Sequence, residues 1–488
     1  MCGIFGLVQN FPLNGRELLG MSRAIRHRGP DDEGFFLADL NGRAVGYAGP
    51  DTPLVSFEPS IPYCPETMLP ENLNEYSQGL ALGHRRLSIL DLTSHGHQPM
   101  SYGGRYWIAF NGEIYNFLDI KSELELKGYS FSSRSDTEVI LAGYMEWGVD
   151  IVERLNGMWA FAIFDTSERT LFLSRDRFGI KPLYLRFTPG RIAFSSEIKA
   201  FQALRDWEAR ANHKRLLDMV VWNVSDHTAE TMFDGVVQLP PGHFAKLDLD
   251  FVRRDSRADL RQHYRPQRWY SPRLNQDLSQ LDRTQIFLEL MEDSVQRHSH
   301  ADVPVGSCLS GGLDSSAMVC LLRRSLGADM HAGELHTFTA QSADRAFDET
   351  DHAMAVVQRT NSCAHFTTPN PVGLFDDLEK LVWHQDEPFV STSIYAQWCV
   401  FKTASTNGIK VMLDGQGADE ILGGYRGFFG AYLASLFLRG DMLRWGREIG
   451  SLRREVGFSF LRSLGYTFAY AQPTLLKFIG RFDGRAYS

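Results

Sequence analysis

The spacing of apolar residues changes character along the chain. Before about position 200 the apolar runs are short. RYWIAF (105–110), WAFAIFD (159–165), TLFLSRD (170–176), PLYLRF (182–187) and RIAFSS (191–196) are strand-length and bounded by Gly, Pro or charge. Between them, LDIKSELELKGY (118–129) and TEVILAGYMEWG (137–148) place apolar residues three and four apart, the spacing of amphipathic helices. Many strands with few helices predict an α+β domain of two sheets with helices outside, an αββα arrangement. Residues 41–80 carry proline after proline and read as a long surface excursion, either a lid or an elaboration. FQALRDWEARANHKR (201–215) reads as a helix or linker at the domain edge.

A second rhythm begins after the polar stretch 253–285. IFLELMEDSVQRHS (286–299) reads as a helix and VPVGSCL (303–309) as a strand ending in a glycine turn. AMVCLLRRSLG (317–327) follows as a helix, then LHTFTAQ (335–341) and IKVMLDG (409–415) as strands. This alternation predicts an α/β domain with a parallel sheet. The expected division is residues 1–205, a linker and entry segment 206–285, and a second domain 286–488.

Composition narrows the class. A chain of 488 residues, 43% hydrophobic and 22% charged, is an ordinary globular protein of two or three domains. A net charge of -9 argues against a general nucleic-acid binder. The six cysteines form no CxxC and no disulfide framework. MCGIFGLV lacks the basic start of a leader, and no stretch reaches ~18 uncharged apolar residues. A soluble, cytoplasmic protein without membrane insertion is expected.

Two stretches carry candidate chemistry. Removal of Met1 would leave Cys2 with an α-amine and a thiol on one carbon, and the amine could act as base for the thiol. The structural alternative is an incidental cysteine before a strand. SGGLDSS (310–316) sits where a buried strand meets a helix, so its backbone N–H groups, its hydroxyls and the helix start favour an anion. Asp314 reads as a Mg²⁺ ligand or a helix cap. The alternative is a glycine-rich turn with a capped helix. The segment is neither a Walker A loop nor GxGxxG.

SGGLDSS resembles the pyrophosphate loop of the N-type ATP pyrophosphatases. Further segments extend the resemblance: HRGPD (27–31), HRRLSILDL (84–92), NGEIYN (111–116), RSDTEVIL (134–141), RDRFGIKPLY (175–184), FSSEIKA (194–200) and DGQGADEILGGY (414–425). Together they resemble the glutamine-hydrolysing asparagine synthetases. The resemblance implies a class II, N-terminal-nucleophile-like glutaminase domain joined to an ATP pyrophosphatase-type synthetase domain. It implies Cys2 as the nucleophile forming a glutamyl thioester, Asn111 and Gly112 as the oxyanion hole, and Arg86 on the glutamine α-carboxylate. Glu113 and Asp136 would hold the substrate and its α-ammonium. Taken singly, NGE would be a plain turn, Arg86 a surface arginine and Asp136 a helix cap. His27, His84 and His97 are expected to be structural.

For the second domain the resemblance implies ATP binding by Cys308, Ser310, Gly311, Gly312, Leu313, Asp314, Ser315, Ser316, Ala340, Asp414 and Gly415. Mg²⁺ would meet Asp314, Asp419 or both. Ammonia would displace AMP from an acyl-adenylate, by default that of L-aspartate, and homodimerisation is a family expectation. Two departures stand out. Gln416 in DGQGADE occupies a position commonly held by glutamate, and its amide cannot act as a base. An ARVPFLD-like segment and a later lysine do not appear, and the basic run RWGREIGSLRREVG (444–457) precedes the end of the chain. Truncation, supply of the missing elements from elsewhere, or an impaired second activity each follow from that. Amidation of another carboxylate, such as a uronic acid, and a non-synthesising regulatory or scaffold role are the alternatives.

Overall fold

The computed structural model describes residues 1–39, 44–73, 79–250, 260–273, 282–326, 335–342, 344 and 348–472. The first part is a sandwich of two sheets. One has the order β12-β10-β11-β1-β5-β2-β3-β4, with β4 at Thr67–Met68, and the other β14-β13-β9-β8-β7-β6, with β6 at Met100–Tyr102. In the first, β1 (Gly3–Gln9) runs antiparallel between β5 (Gly79–Arg86) and β11 (Arg191–Ser195), and β2 (Asp32–Asp39) pairs with the far side of β5 and with β3 (Ala44–Ala48). In the second, β7 (Tyr106–Ile114) and β8 (Gly157–Asp165) are paired along their whole length, with β9 (Thr170–Arg175) alongside.

Every position of β1 is buried, because each face meets a separate core. Ile4, Val8 and Phe36 meet Ile108, Phe110 and Phe161 between the sheets. Phe5, Leu7 and Phe35 pack under α1 (Gly15–Ala24), whose Leu18 and Met21 complete the outer layer. On the opposite side α2 (Phe117–Leu126) and α3 (Asp136–Trp147) cover the second sheet, giving the expected αββα layering.

The segment 206–285 differs from the linker expected of it. It supplies β12 (Val236–Gln238), which pairs with β10 (Tyr184–Thr188), and β13 (His243–Asp248), which pairs with β9 and β14 (Gln267–Arg268). Each extends a sheet at its edge. A single inward face then suffices, and alternation over so few residues is faint in the sequence. The described parts of the 41–80 excursion are likewise seated on the sandwich, with Ile61 and Tyr63 buried and the Tyr63 hydroxyl donating to the His95 carbonyl at 2.6 Å.

The second part is an all-parallel sheet, β17-β16-β15-β18, of strands Cys363–Thr367, His336–Ala340, Val305–Cys308 and Val411–Leu413. Helices Arg283–His298, Leu313–Ser325 and Thr350–Thr360 bury Val295, Val319, Leu322 and Ala353 on one face. Helix Ser393–Thr406 packs Val400 and Ala404 against Phe338 on the other. Residues 418–438 are long and apolar enough by composition to cross a membrane. The chain breaks there, however, at Gly423 (φ +74°), into helices Ala418–Leu422 and Arg426–Leu438. The longer spans only about 20 Å, short of a ~30 Å hydrocarbon core.

Candidate active sites

Strand pairing builds the first site. Gly3 is opposite Arg85, so Cys2 emerges beside Arg86 and Leu87 where β5 ends. The Leu87 N–H points at Cys2 Sγ at 3.4 Å, and Arg28 Nε donates to the Cys2 carbonyl at 2.8 Å. An open cleft is lined by Cys2, Arg86, Gly112, Glu113 and Asp136, together with Gly96 and Gln98. Residues from β5, β7 and the start of α3, far apart in sequence, thus meet the thiol in one concavity.

Arg86 is buried rather than on the surface. Its guanidinium donates to the carbonyls of Thr93 (3.0 Å), Leu90 (3.3 Å) and Asp91. Gly96 makes room for it, since a Cβ there would lie 1.7 Å from Arg86 Nη2. Asp136 opens α3 behind the Ser135 cap and accepts from Ile114 N–H at 2.9 Å. Burial, with the Glu113 charge adding to it, pushes the Asp136 carboxyl up to about 7. Burial also raises Glu113, against the pull of Lys181 and the chain's α-amine. Both acids therefore lack full compensation for their charge, the condition in which a cation from outside binds well.

Asn111 does not line the cleft, although its neighbours Phe110 and Gly112 do. It is fully buried on β7, with neither its Oδ1 nor its Nδ2 hydrogen-bonded to the described residues. A buried unpaired amide costs about 1–3 kcal/mol, so Asn111 calls for a partner that the described residues do not supply. His84 is held neutral, its imidazole pushed down to about 3 by burial, and His97 pairs with Asp32 at 2.8 Å.

Sequence reasoning missed the supports of this site. Asp91 takes a positive φ of 51°, and its carboxylate accepts from Thr93 and Arg134 N–H groups. Its own N–H donates to Asp302 Oδ2 of the second part at 2.8 Å. The loop that holds Arg86 thus hangs on a residue 211 positions away. Arg28 pairs with Glu197 at 2.8 Å, and Lys199 bridges Glu197 (2.5 Å) to Asp386 (2.9 Å). HRGPD and FSSEIKA contain Arg28, Glu197 and Lys199, but only the Glu197–Lys199 pair is local; the links to Arg28 and Asp386 are closed by the fold.

The second site forms at the carboxyl edge of the parallel sheet. Ser310 Oγ and Ser315 Oγ are 2.9 Å apart, and Gly312 N–H donates to Ser310 Oγ at 3.2 Å, closing the loop on itself. Gly311 sits at φ +90°, where a Cβ would also meet the Glu349 carbonyl at 2.7 Å. Gly312 precedes helix Leu313–Ser325 without a side-chain cap, while Leu313 points into solvent. Gly415 comes within contact of Asp314 and Ser315. Burial, then the charge and hydrogen bond of Asp414, push the Cys308 thiol far above its ordinary range. Cys308, Asp314, Ser315, Asp414 and Gly415 are therefore close neighbours, and Ala340 ends the adjacent β16. Asp419 turns instead against Gly424, whose Cβ position lies 1.8 Å from Asp419 Oδ1. Gln416 is exposed in the turn that follows β18.

This arrangement is that of a two-sheet αββα glutamine amidotransferase domain followed by a parallel α/β domain. Residues 72–257 match the glutamine amidotransferase domain family and residues 287–471 the asparagine synthase family. A provisionally named asparagine synthetase (glutamine-hydrolysing) 2 of Methanocaldococcus jannaschii is 31% identical over 468 residues, covering 92% of this chain and 80% of that protein. Asparagine synthetase (glutamine-hydrolysing) 1 of Bacillus subtilis is 31% identical over 434 residues, 87% of this chain and 59% of that one. A provisionally named Mycobacterium bovis asparagine synthetase is 33% identical over 413 residues, 83% and 56% respectively. The chain belongs to the glutamine-hydrolysing asparagine synthetase family, and it spans little more than half the length of the Mycobacterium and Bacillus relatives.

Proposed function

We propose that this chain couples glutamine hydrolysis at Cys2 to ATP-dependent formation of an amide, with L-aspartate as the default acceptor. The observation that carries the reading is the single cleft in which Cys2 meets Arg86, Gly112, Glu113 and Asp136. After Met1 is removed, the Cys2 α-amine accepts the thiol proton and the thiolate attacks the glutamine side-chain carbonyl. The tetrahedral oxyanion collects donors from Asn111 Nδ2 and the Gly112 N–H. Collapse expels ammonia, and water then releases glutamate from the thioester. Arg86 pairs with the α-carboxylate, while Glu113 and Asp136 face the α-ammonium.

In the second site the acceptor carboxylate attacks the α-phosphorus of ATP, and pyrophosphate leaves into the Ser310–Ser316 loop. Ammonia displaces AMP from the acyl-adenylate to give the amide. Asp314 has no hydrogen bond or ion pair among the described residues, and a free carboxylate beside a phosphate loop fits a Mg²⁺ carried on the triphosphate. Such an ion would neutralise the leaving group. The exposed Gln416 favours a second reading, in which the acceptor is another carboxylate, because its amide cannot take the ammonium proton.

The test is incubation of processed protein with glutamine, Mg-ATP and aspartate, with glutamate, AMP, pyrophosphate and asparagine measured by mass spectrometry. Asparagine rising in step with AMP supports the reading. Glutamate released without AMP or asparagine overturns aspartate as acceptor, and absence of glutamate overturns the Cys2 assignment.

A further inference from the structure

At the opposite end of the parallel sheet from the phosphate loop, three side chains converge that the proposed reaction does not use. His336 opens β16 and Cys363 opens β17, and the parallel register sets these two residues side by side. His365 lies two residues further along β17 and so projects from the same face as Cys363. His336 Nδ1 is 2.9 Å from His365 Nε2, and Cys363 Sγ is 3.6 Å from the same nitrogen. The three donor atoms all lie within 4.8 Å of one another.

We propose that His336, Cys363 and His365 form a binding site for a thiophilic divalent cation, Zn²⁺ by preference. Tetrahedral zinc with Zn–N bonds of ~2.05 Å and a Zn–S bond of ~2.3 Å separates two nitrogens by about 3.3 Å and nitrogen from sulfur by about 3.6 Å. The Cys363 Sγ to His365 Nε2 distance of 3.6 Å already matches, and Cys363 Sγ lies within 4.8 Å of the His336 donor. The two imidazoles need to part by a few tenths of an ångström, within the reach of small side-chain rotations. Imidazole with thiolate is a borderline-soft donor set that suits zinc and not Mg²⁺ or Ca²⁺.

The setting is rigid on one side. The His365 ring stacks on Phe338 at 4.7 Å and 12°, and Phe338 is anchored among Val400, Ala404 and Ile409. No fourth His, Cys, Asp or Glu joins the group among the described residues. β17 is the edge strand of its sheet. The ion would pin that edge to β16, whose far end carries Ala340, and whose next residue Gln341 donates to the Thr367 carbonyl at 2.8 Å. A structural brace under the nucleotide edge, rather than a reaction centre, is the role this position supports.

The full chain, stripped with a chelator and dialysed, is titrated with Co²⁺ as a spectroscopic substitute. One equivalent should produce intense visible bands of a four-coordinate ion and a thiolate-to-cobalt charge-transfer band, both removed by Zn²⁺. Cys363→Ala should abolish the charge-transfer band and His336→Ala should weaken binding at least tenfold. Cys320→Ser, at an exposed cysteine outside the group, should leave both unchanged. The wild-type chain gives an independent reading should a variant fold poorly: Zn²⁺ should slow alkylation of Cys363 at least tenfold by peptide mass mapping. Weak six-coordinate cobalt bands, a charge-transfer band that survives Cys363→Ala, or unchanged Cys363 alkylation would each overturn the site.

Discussion

Asp136 offers a test in which stability and ligand binding are expected to move in opposite directions. Its side chain is only 5% exposed, its one firm hydrogen bond comes from Ile114 N–H at 2.9 Å, and none of the described cationic side chains pairs with it. Burial holds the carboxyl near 7 instead of 3.8. The folded chain therefore binds an extra proton between about pH 4 and 7, and stability falls as pH rises through that window. About three pH units at ~1.4 kcal/mol each put the penalty above pH 7 on the order of 4 kcal/mol. Asp136→Asn cannot ionise and its Oδ1 still accepts from Ile114, so in the absence of glutamine the variant should melt several degrees higher at pH 8. That advantage should fall by more than half at pH 5 and vanish only below about pH 4.

The binding side follows from the proposed α-ammonium contact. With a pKa of about 7, the carboxylate fraction of Asp136 rises about tenfold between pH 6 and pH 8. In a Cys2→Ala background, which removes turnover, the Kd for glutamine by calorimetry should fall by up to that factor over the same interval. Adding Asp136→Asn should weaken binding at pH 8 and flatten the profile. A variant less stable than the parent at pH 8 would refute the unpaired burial. A glutamine Kd that ignores both pH and the substitution would refute the ammonium contact.

Other substitutions separate the parts of the machine. Cys2→Ala should abolish glutamine-dependent amide formation and leave the ammonia-dependent reaction intact, as followed by pyrophosphate release. Gly96→Ala drives a methyl group into Arg86 and should raise the KM for glutamine at least about tenfold, with the ammonia-dependent rate unchanged. Asp302→Ala removes the acceptor of the Asp91 N–H and should raise that KM up to about tenfold, the scale of one charge-assisted hydrogen bond, although residue 302 lies in the second part of the chain. Gly311→Ala combines a φ of +90° with a collision at the Glu349 carbonyl and should cut ATP–pyrophosphate exchange by more than about tenfold.

The legible part of the sequence is the part whose pattern is local. Strands β7, β8 and β9 and helix α3 are largely buried and α2 buries one face, all of ordinary length, and their patterns locate them within a few residues. Strand Cys363–Thr367 carries no such signal, because all five of its residues are half-buried at a sheet edge, and neither do the edge strands of 236–268. For the cleft, Cys2, Arg86, Glu113 and Asp136 were legible because each sits in a recognisable segment. Gly96, Asp91 and Asp302 were not, since what marks them is a steric gap or a hydrogen bond closed only by the fold. Asp419 shows the converse: a motif position whose carboxylate the backbone turns against Gly424.

The two parts are joined by charge as well as by chain. Burial alone would raise the Glu197 carboxyl, but the His27 hydrogen bond and the Arg28 and Lys199 charges outweigh it and hold Glu197 at about 2. Lys199 carries the network to Asp386, whose other oxygen accepts the Ile198 N–H at 2.6 Å, while Arg28 holds the carbonyl of Cys2. A continuous line of buried polar contacts therefore runs from the thiol's own backbone to a loop of the second part. Removing one member leaves its buried partners with less compensation for their charge, so small displacements at one end are resisted at the other. Asp302 ties the parts at a second point, through the loop that holds Arg86. Two separate ties, one to the nucleophile and one to the residue proposed to hold the glutamine carboxylate, constrain the cleft more tightly than either alone. The position of the second part is thereby a determinant of glutamine-site geometry.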